Sequence, residues 1–119
     1  SIVITTYNRD RYLATAIESV LGQTYENLEL LIWDDGSSDR SVEIAQSYAA
    51  KDPRVRLIAA PHQGRVAALQ AAITATRGLY LGWVDSDDWL APTALSETAT
   101  VLLAQPPVGM VYTDYWDVN

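Results

Sequence analysis

The sequence has no cysteine and no phenylalanine, and only one histidine and one methionine. Without cysteine, disulfides, thiolate zinc centres and thiol nucleophiles are excluded. Basic residues are scarce as well. Eight Lys and Arg stand against fifteen Asp and Glu, for a formal net charge of −7 at pH 7. That balance speaks against nucleic-acid binding, which needs a basic face for phosphates. It also speaks against membrane contact through this segment, because anionic lipid attracts basic stretches. A phosphate ligand stays compatible with it if a cation stands between ligand and protein. No apolar run approaches the roughly 20 residues of a membrane-crossing helix. No charged-then-apolar signal segment opens the chain.

What is present is an ordinary globular composition. The 119 residues are 49% hydrophobic, enough for one core and one domain spanning 1–119. Apolar runs at Ser1–Thr5, Leu28–Trp33, Val55–Ala59, Tyr80–Val84 and Val108–Tyr112 read as five strands. Between them lie stretches with helical spacing. The first has Asp10 as N-cap and Leu13, Ile17, Val20 and Leu21 on one face. The second is Ser41–Ala50, the third Arg65–Thr76 with Gly78 at its end. The fourth starts near Pro92 and carries Leu95, Ala99, Leu102 and Leu103. Trp33 and Trp83 fall in strands and are expected in the core. Strands alternating with helices predict an α/β fold, an open and mainly parallel sheet with helices on both faces. A strand-like run begins at a residue that is not Met, so a piece of a longer protein is expected.

Ligands of such sheets sit beyond the carboxyl ends of the strands. The polar residues of this chain are concentrated there. Thr5-Thr6-Tyr7-Asn8 follows the first strand and Asp34-Asp35-Gly36-Ser37 ends the second. His62-Gln63-Gly64-Arg65 follows the third and Asp85-Ser86-Asp87-Asp88 ends the fourth. Parallel strands would bring all four groups to one edge, with five aspartates around one crevice. Three carboxylates within four residues repel one another, and a divalent cation relieves that repulsion. Oxygen ligands without His or Cys suit Mg²⁺ or Mn²⁺. Neither G-x-G-x-x-G nor G-x-x-x-x-G-K-[ST] is present, so a diphosphate would be held through the metal, with Arg65 adding a charge-assisted contact. Tyr7 could stack on a base or pack under its loop. Asp35 could accept hydrogen bonds from a base or ribose. His62 receives no role, and Trp89 could border a sugar or simply pack.

Together Thr5-Thr6-Tyr7-Asn8, Gln23-Thr24-Tyr25, Asp34-Asp35-Gly36-Ser37 and Asp85-Ser86-Asp87-Asp88 resemble the family-2 glycosyltransferases, in order and spacing, along nearly the whole chain. The resemblance implies the Rossmann-like GT-A fold. It also implies inverting transfer of a sugar from a nucleotide-diphospho-sugar donor to a glycan, lipid or protein acceptor. Position by position, it implies Thr5 and Tyr7 at the base pocket, Asp35 on the base with Asp34 beside it, and Arg65 on the nucleotide. Asp85-Ser86-Asp87 corresponds to the D-x-D element: Asp87 as metal contact, Asp85 near ribose or sugar, Asp88 sharing either role. The general base and the acceptor-binding part are expected beyond Asn119, and Asp114 and Asp117 are candidates only by residue type. A cytoplasmic location is expected, peripheral to the membrane in the full-length protein.

Three other functions compete. A sugar nucleotidyltransferase would carry a Gly-rich basic loop after the first strand, where Asn8-Arg9-Asp10-Arg11 has no Gly. A non-catalytic nucleotide-sugar-binding module would share every donor-site residue and differ in turnover. A response-regulator-like domain would need an Asp closing the third strand, which here ends Ala59-Ala60-Pro61.

Overall fold

Val3 and Ile4 are both fully buried although they point to opposite faces of one strand. That requires cover on both faces of the sheet. The computed structural model describes residues 1–117. Its elements alternate: β1 (Ile2–Thr6), α1 (Asp10–Leu21), β2 (Leu30–Asp35), α2 (Ser41–Lys51), β3 (Val55–Ala60), α3 (Arg65–Thr74), β4 (Gly82–Trp83) and α4 (Ala94–Ala104). The sheet has the order β3-β2-β1-β4 and every pairing is parallel.

Alternate residues of each strand feed two cores. On one face Ile2 and Ile4 of β1 and Leu30 and Ile32 of β2 meet the apolar stripe of α1: Leu13, Ala16, Ile17 and Val20. Ala45 of α2 joins them, and Leu95 of α4 packs against the edge of the cluster. On the other face Val3 and Leu31 meet Ala72 of α3, with Trp33, Ile58 and Leu69 half-buried around them. The expected two-sided α/β sheet is therefore formed.

The order places the site. From β1 the chain moves outward to β2 and β3, then α3 carries it back across the sheet to β4 on the other side of β1. The strand order reverses between β1 and β4, and the crevice above such a reversal is where ligands of open α/β sheets bind.

Several sequence expectations need correction. Val108–Tyr112 forms no strand, and no regular element follows α4 among the described residues. A strand needs a partner ladder. β4 contributes only two residues to one, Gly82 and Trp83 opposite Ile2 and Val3, rather than all of Tyr80–Val84. Trp83 is half-exposed rather than core. It shares a face with Val3, but α3 lies over β1 and β2 and stops short of covering it. Leu103 of the expected α4 stripe is exposed. Asp10 begins α1 rather than capping it, and the cap position is Arg9. The cap is supplied from elsewhere: Ser41 Oγ accepts from Arg9 N at 3.0 Å and Asp39 Oδ2 from Asp10 N at 3.0 Å. α3 ends at Thr74, two residues early.

Candidate functional site

The loop after β1 is tied to the loop after β2 before either meets a ligand. Asn8 adopts φ 52°, a conformation Asn tolerates better than most residues. Its side-chain oxygen accepts from Ser38 N at 2.8 Å, and its own N–H donates to Ser37 Oγ at 2.9 Å. This turn leaves Tyr7 projecting, 44% exposed, from the end of β1.

The two aspartates closing β2 have different duties. Asp34 is buried, and its Oδ1 accepts from Gly36 N at 3.1 Å and Ser37 N at 2.9 Å. It holds the turn. Its Oδ2 is buried with no hydrogen-bond partner among the described residues, as is Thr6 Oγ1. Asp35 reaches across to the loop after β3, where Gln63 N donates to Oδ1 at 2.8 Å and Gly64 N to Oδ2 at 2.9 Å. Its Oδ2 also lies 2.8 Å from His62 Nδ1. Burial alone would raise the Asp35 pKa, but the two amides and His62 outweigh it and hold the carboxyl below its ordinary value. The close passage of the two loops depends on Gly36, at φ 79°, where a Cβ would stand 2.7 Å from His62 N.

His62 completes this cluster. Its ring stacks on Tyr7 with centroids 4.2 Å apart and planes 22° from parallel. Sequence reasoning left this residue aside. The only available signal was its position, a lone histidine on a loop at the same strand edge as the aspartates.

The fourth group comes from the turn after β4. Arg65, the first residue of α3, donates from Nη2 to both oxygens of Asp85 at 2.8 Å. Arg9 Nε lies 3.6 Å from Asp87 Oδ2. Asp88 has a raised pKa, first from burial and then from the charges of Asp85 and Asp87.

These groups line one open cleft of about 250 Å³, bounded by Thr5, Thr6, Tyr7, Arg9, Asp35, His62, Arg65, Ala68, Asp85, Ser86 and Asp87. Of the residues singled out from sequence, Thr5, Tyr7, Asp35, Arg65, Asp85 and Asp87 meet there. Asp34 and Asp88 are not part of the lining, and Asp114 and Asp117 lie exposed in the irregular segment after α4. Arg9 joins the site unforeseen. A larger recess of about 490 Å³, lined by Leu21, Gly22, Gln23, Glu26 and Arg54, opens at the opposite edge and holds none of the clustered aspartates.

No three His, Asp or Glu side chains converge as a ready-made metal cage among the described residues. Two carboxylates facing one cleft nevertheless suit a hard cation that takes its other ligands from phosphate and water. Asp85 and Asp87 both line the cleft, and burial together with their charges raises the pKa of the neighbouring Asp88. No helix among the described residues is long and apolar enough to cross a membrane.

The family model described as Glycosyl transferase family 2 matches residues 1–118. The chain is 36% identical over 119 residues to a chondroitin synthase of Pasteurella multocida (strain Pm70), covering 100% of this chain but 12% of that protein. S. aureus TarS 1–349 in complex with UDP-GlcNAc superimposes with a TM-score of 0.81 at 22% identity, covering 88% of this chain and 31% of that one. The mannosyltransferase PcManGT from Pyrobaculum calidifontis, in complex with GDP-Man and Mn²⁺, gives a TM-score of 0.80 at 23% identity, covering 91% and 33%. At such identities these two structures show a shared fold.

Proposed function

This chain belongs to glycosyltransferase family 2, and from that premise we propose that its strand-end cleft binds the nucleotide-diphosphate part of a sugar donor for transfer to an acceptor. The observation that carries the proposal is convergence. Side chains from the ends of β1 and β2, the start of α3 and the turn after β4 line one cleft at the reversal of strand order.

Each residue then has a role that follows from its chemistry. Tyr7 offers a flat face to the base. Asp35, ionised and fixed by Gln63 and Gly64, accepts hydrogen bonds from base or ribose. Thr5 closes the floor of the base pocket. Asp34 supports it from behind by holding the turn in which Asp35 sits. Arg65 and Arg9 are placed to meet negative charge on the diphosphate. Asp85 and Asp87 would hold Mn²⁺ or Mg²⁺ with Asp88 beside them. When bound, the cation would neutralise charge growing on the departing diphosphate.

The chain spans 12% of the chondroitin synthase it matches. The acceptor, whether glycan, lipid or protein, and the general base belong to the activity of a whole enzyme and are part of the proposal. So is the cytoplasmic location.

The test is calorimetric titration with UDP, GDP and dTDP, each with Mn²⁺ and with EDTA. Metal-dependent binding of one nucleotide is expected. Absence of binding to all three, by a chain shown to be folded, would overturn the donor-site reading. Binding without transfer or donor hydrolysis by the full-length protein would indicate a binding module instead.

A further inference from the structure

His62 makes the two contacts that a nucleobase would make at this site. A base entering the cleft needs a flat face to stack on and a carboxylate to receive its N–H. The His62 ring already lies on Tyr7 at a centroid distance of 4.2 Å. Its Nδ1 lies 2.8 Å from Asp35 Oδ2 and 3.0 Å from the Asp35 carbonyl oxygen. Both oxygens are acceptors, so Nδ1 carries the hydrogen and donates it. Resting on the donor-site reading above, we propose that His62 is an internal occupant of the nucleobase subsite, which must leave before the donor's base can enter and which thereby sets nucleotide affinity.

The two partners differ in freedom, and that decides which one moves. Asp35 is buried and held by the amides of Gln63 and Gly64. The His62 side chain is 53% exposed and has solvent to turn into. A carboxylate offers about four acceptor positions. Gln63, Gly64 and His62 take three of those on Asp35, so withdrawal of His62 restores capacity for a ligand. The cleft fits this too. At about 250 Å³ it is smaller than the roughly 300–1,000 Å³ usual for ligand pockets, and removing an imidazole from its wall enlarges it where the base belongs.

The experiment compares the 119-residue chain with His62→Ala and His62→Gln, titrated with UDP and GDP in Mn²⁺ at neutral pH. His62→Ala is expected to bind about three- to tenfold more tightly than the parent. His62→Gln keeps an N–H donor without the ring, frees the face of Tyr7, and is expected to fall between the two. An NMR readout needs no variant. The chain has a single histidine, and its imidazole signals are expected to leave the ring-current field of Tyr7 when nucleotide saturates the site. If nucleotide binds but His62→Ala binds equally or more weakly than the parent, or the imidazole stays on Tyr7 at saturation, His62 is part of the platform and the inference is overturned while the donor site stands. If no nucleotide binds parent or variants, the donor-site reading itself fails and takes the inference with it.

Discussion

Arg65 reaches from the first turn of α3 to the end of β4 and donates to both carboxylate oxygens of Asp85 at 2.8 Å. Both side chains are accessible, at 72% and 38%. Water and salt screen such a pair, and it adds little to stability. Its significance is positional, because it sets a guanidinium at the mouth of a cleft that also holds Asp35 and Asp87.

Arg65→Ala is therefore expected to leave the unfolding midpoint nearly unchanged while weakening UDP or GDP binding. Loss of one charge-assisted phosphate contact corresponds to about a tenfold rise in Kd. Calorimetry and thermal melting on the same sample separate the two effects. A large drop in melting temperature with unchanged affinity would make Arg65 a structural residue.

Asp87→Asn removes one of the two carboxylates assigned to the cation and keeps the shape of the side chain. The fold should be untouched, since Asp87 is half-exposed and its ion pair to Arg9 is long at 3.6 Å. Nucleotide affinity in Mn²⁺ should fall by about tenfold or more, toward the value measured in EDTA. Equal affinity with Mn²⁺ for parent and variant would remove Asp87 from the metal site.

The core strands and the four polar groups at their ends were legible in the sequence for a simple reason. Each is an apolar run followed at once by polar residues, as in Leu30–Trp33 followed by Asp34-Asp35-Gly36-Ser37. Hydropathy could not reveal that β4 has only two paired residues, because Tyr80 and Leu81 read as strand whether or not a neighbour is in register. The same holds for Val108–Tyr112. The different duties of Asp34 and Asp35 were also hidden. Both are equally acidic in sequence, and only the surrounding loops show that Asp34 bonds into its own turn while Asp35 reaches across to Gln63 and Gly64. His62 was missed because stacking on Tyr7 joins residues 55 positions apart, a contact created by the loops rather than by any local pattern.

Gly36→Ala tests that loop geometry. The position has φ 79°, and an added Cβ would lie 2.7 Å from His62 N and 3.1 Å from His62 Cβ. Neither the strained backbone nor the contact with main chain can relax cheaply, so a loss of about 1–3 kcal/mol is expected in urea unfolding. Nucleotide affinity should fall with it, because the amides of Gln63 and Gly64 that fix the Asp35 carboxylate must shift. An unchanged midpoint would mean that the two loops are farther apart in solution.

The last prediction concerns the opposite edge of the sheet, where Glu29 enters β2. Burial raises the pKa of Glu29, but hydrogen bonds from Ser1 Oγ, Arg77 N and Arg56 outweigh it and bring the value to about 2, against 4.5 ordinarily. The folded state thus holds this proton less readily than the unfolded chain. The resulting stabilisation is fully present above about pH 4.5 and is lost as pH falls from there toward about 2. Glu29→Gln should cost about 1–3 kcal/mol at neutral pH. The curves of parent and variant should converge only as pH approaches about 2. Urea unfolding at several pH values checks this, and parallel curves would show that Glu29 is not anchored as described. Because Glu29 lies away from the cleft, UDP or GDP affinity at neutral pH should be the same for both proteins, which makes this variant the control for those that alter the site.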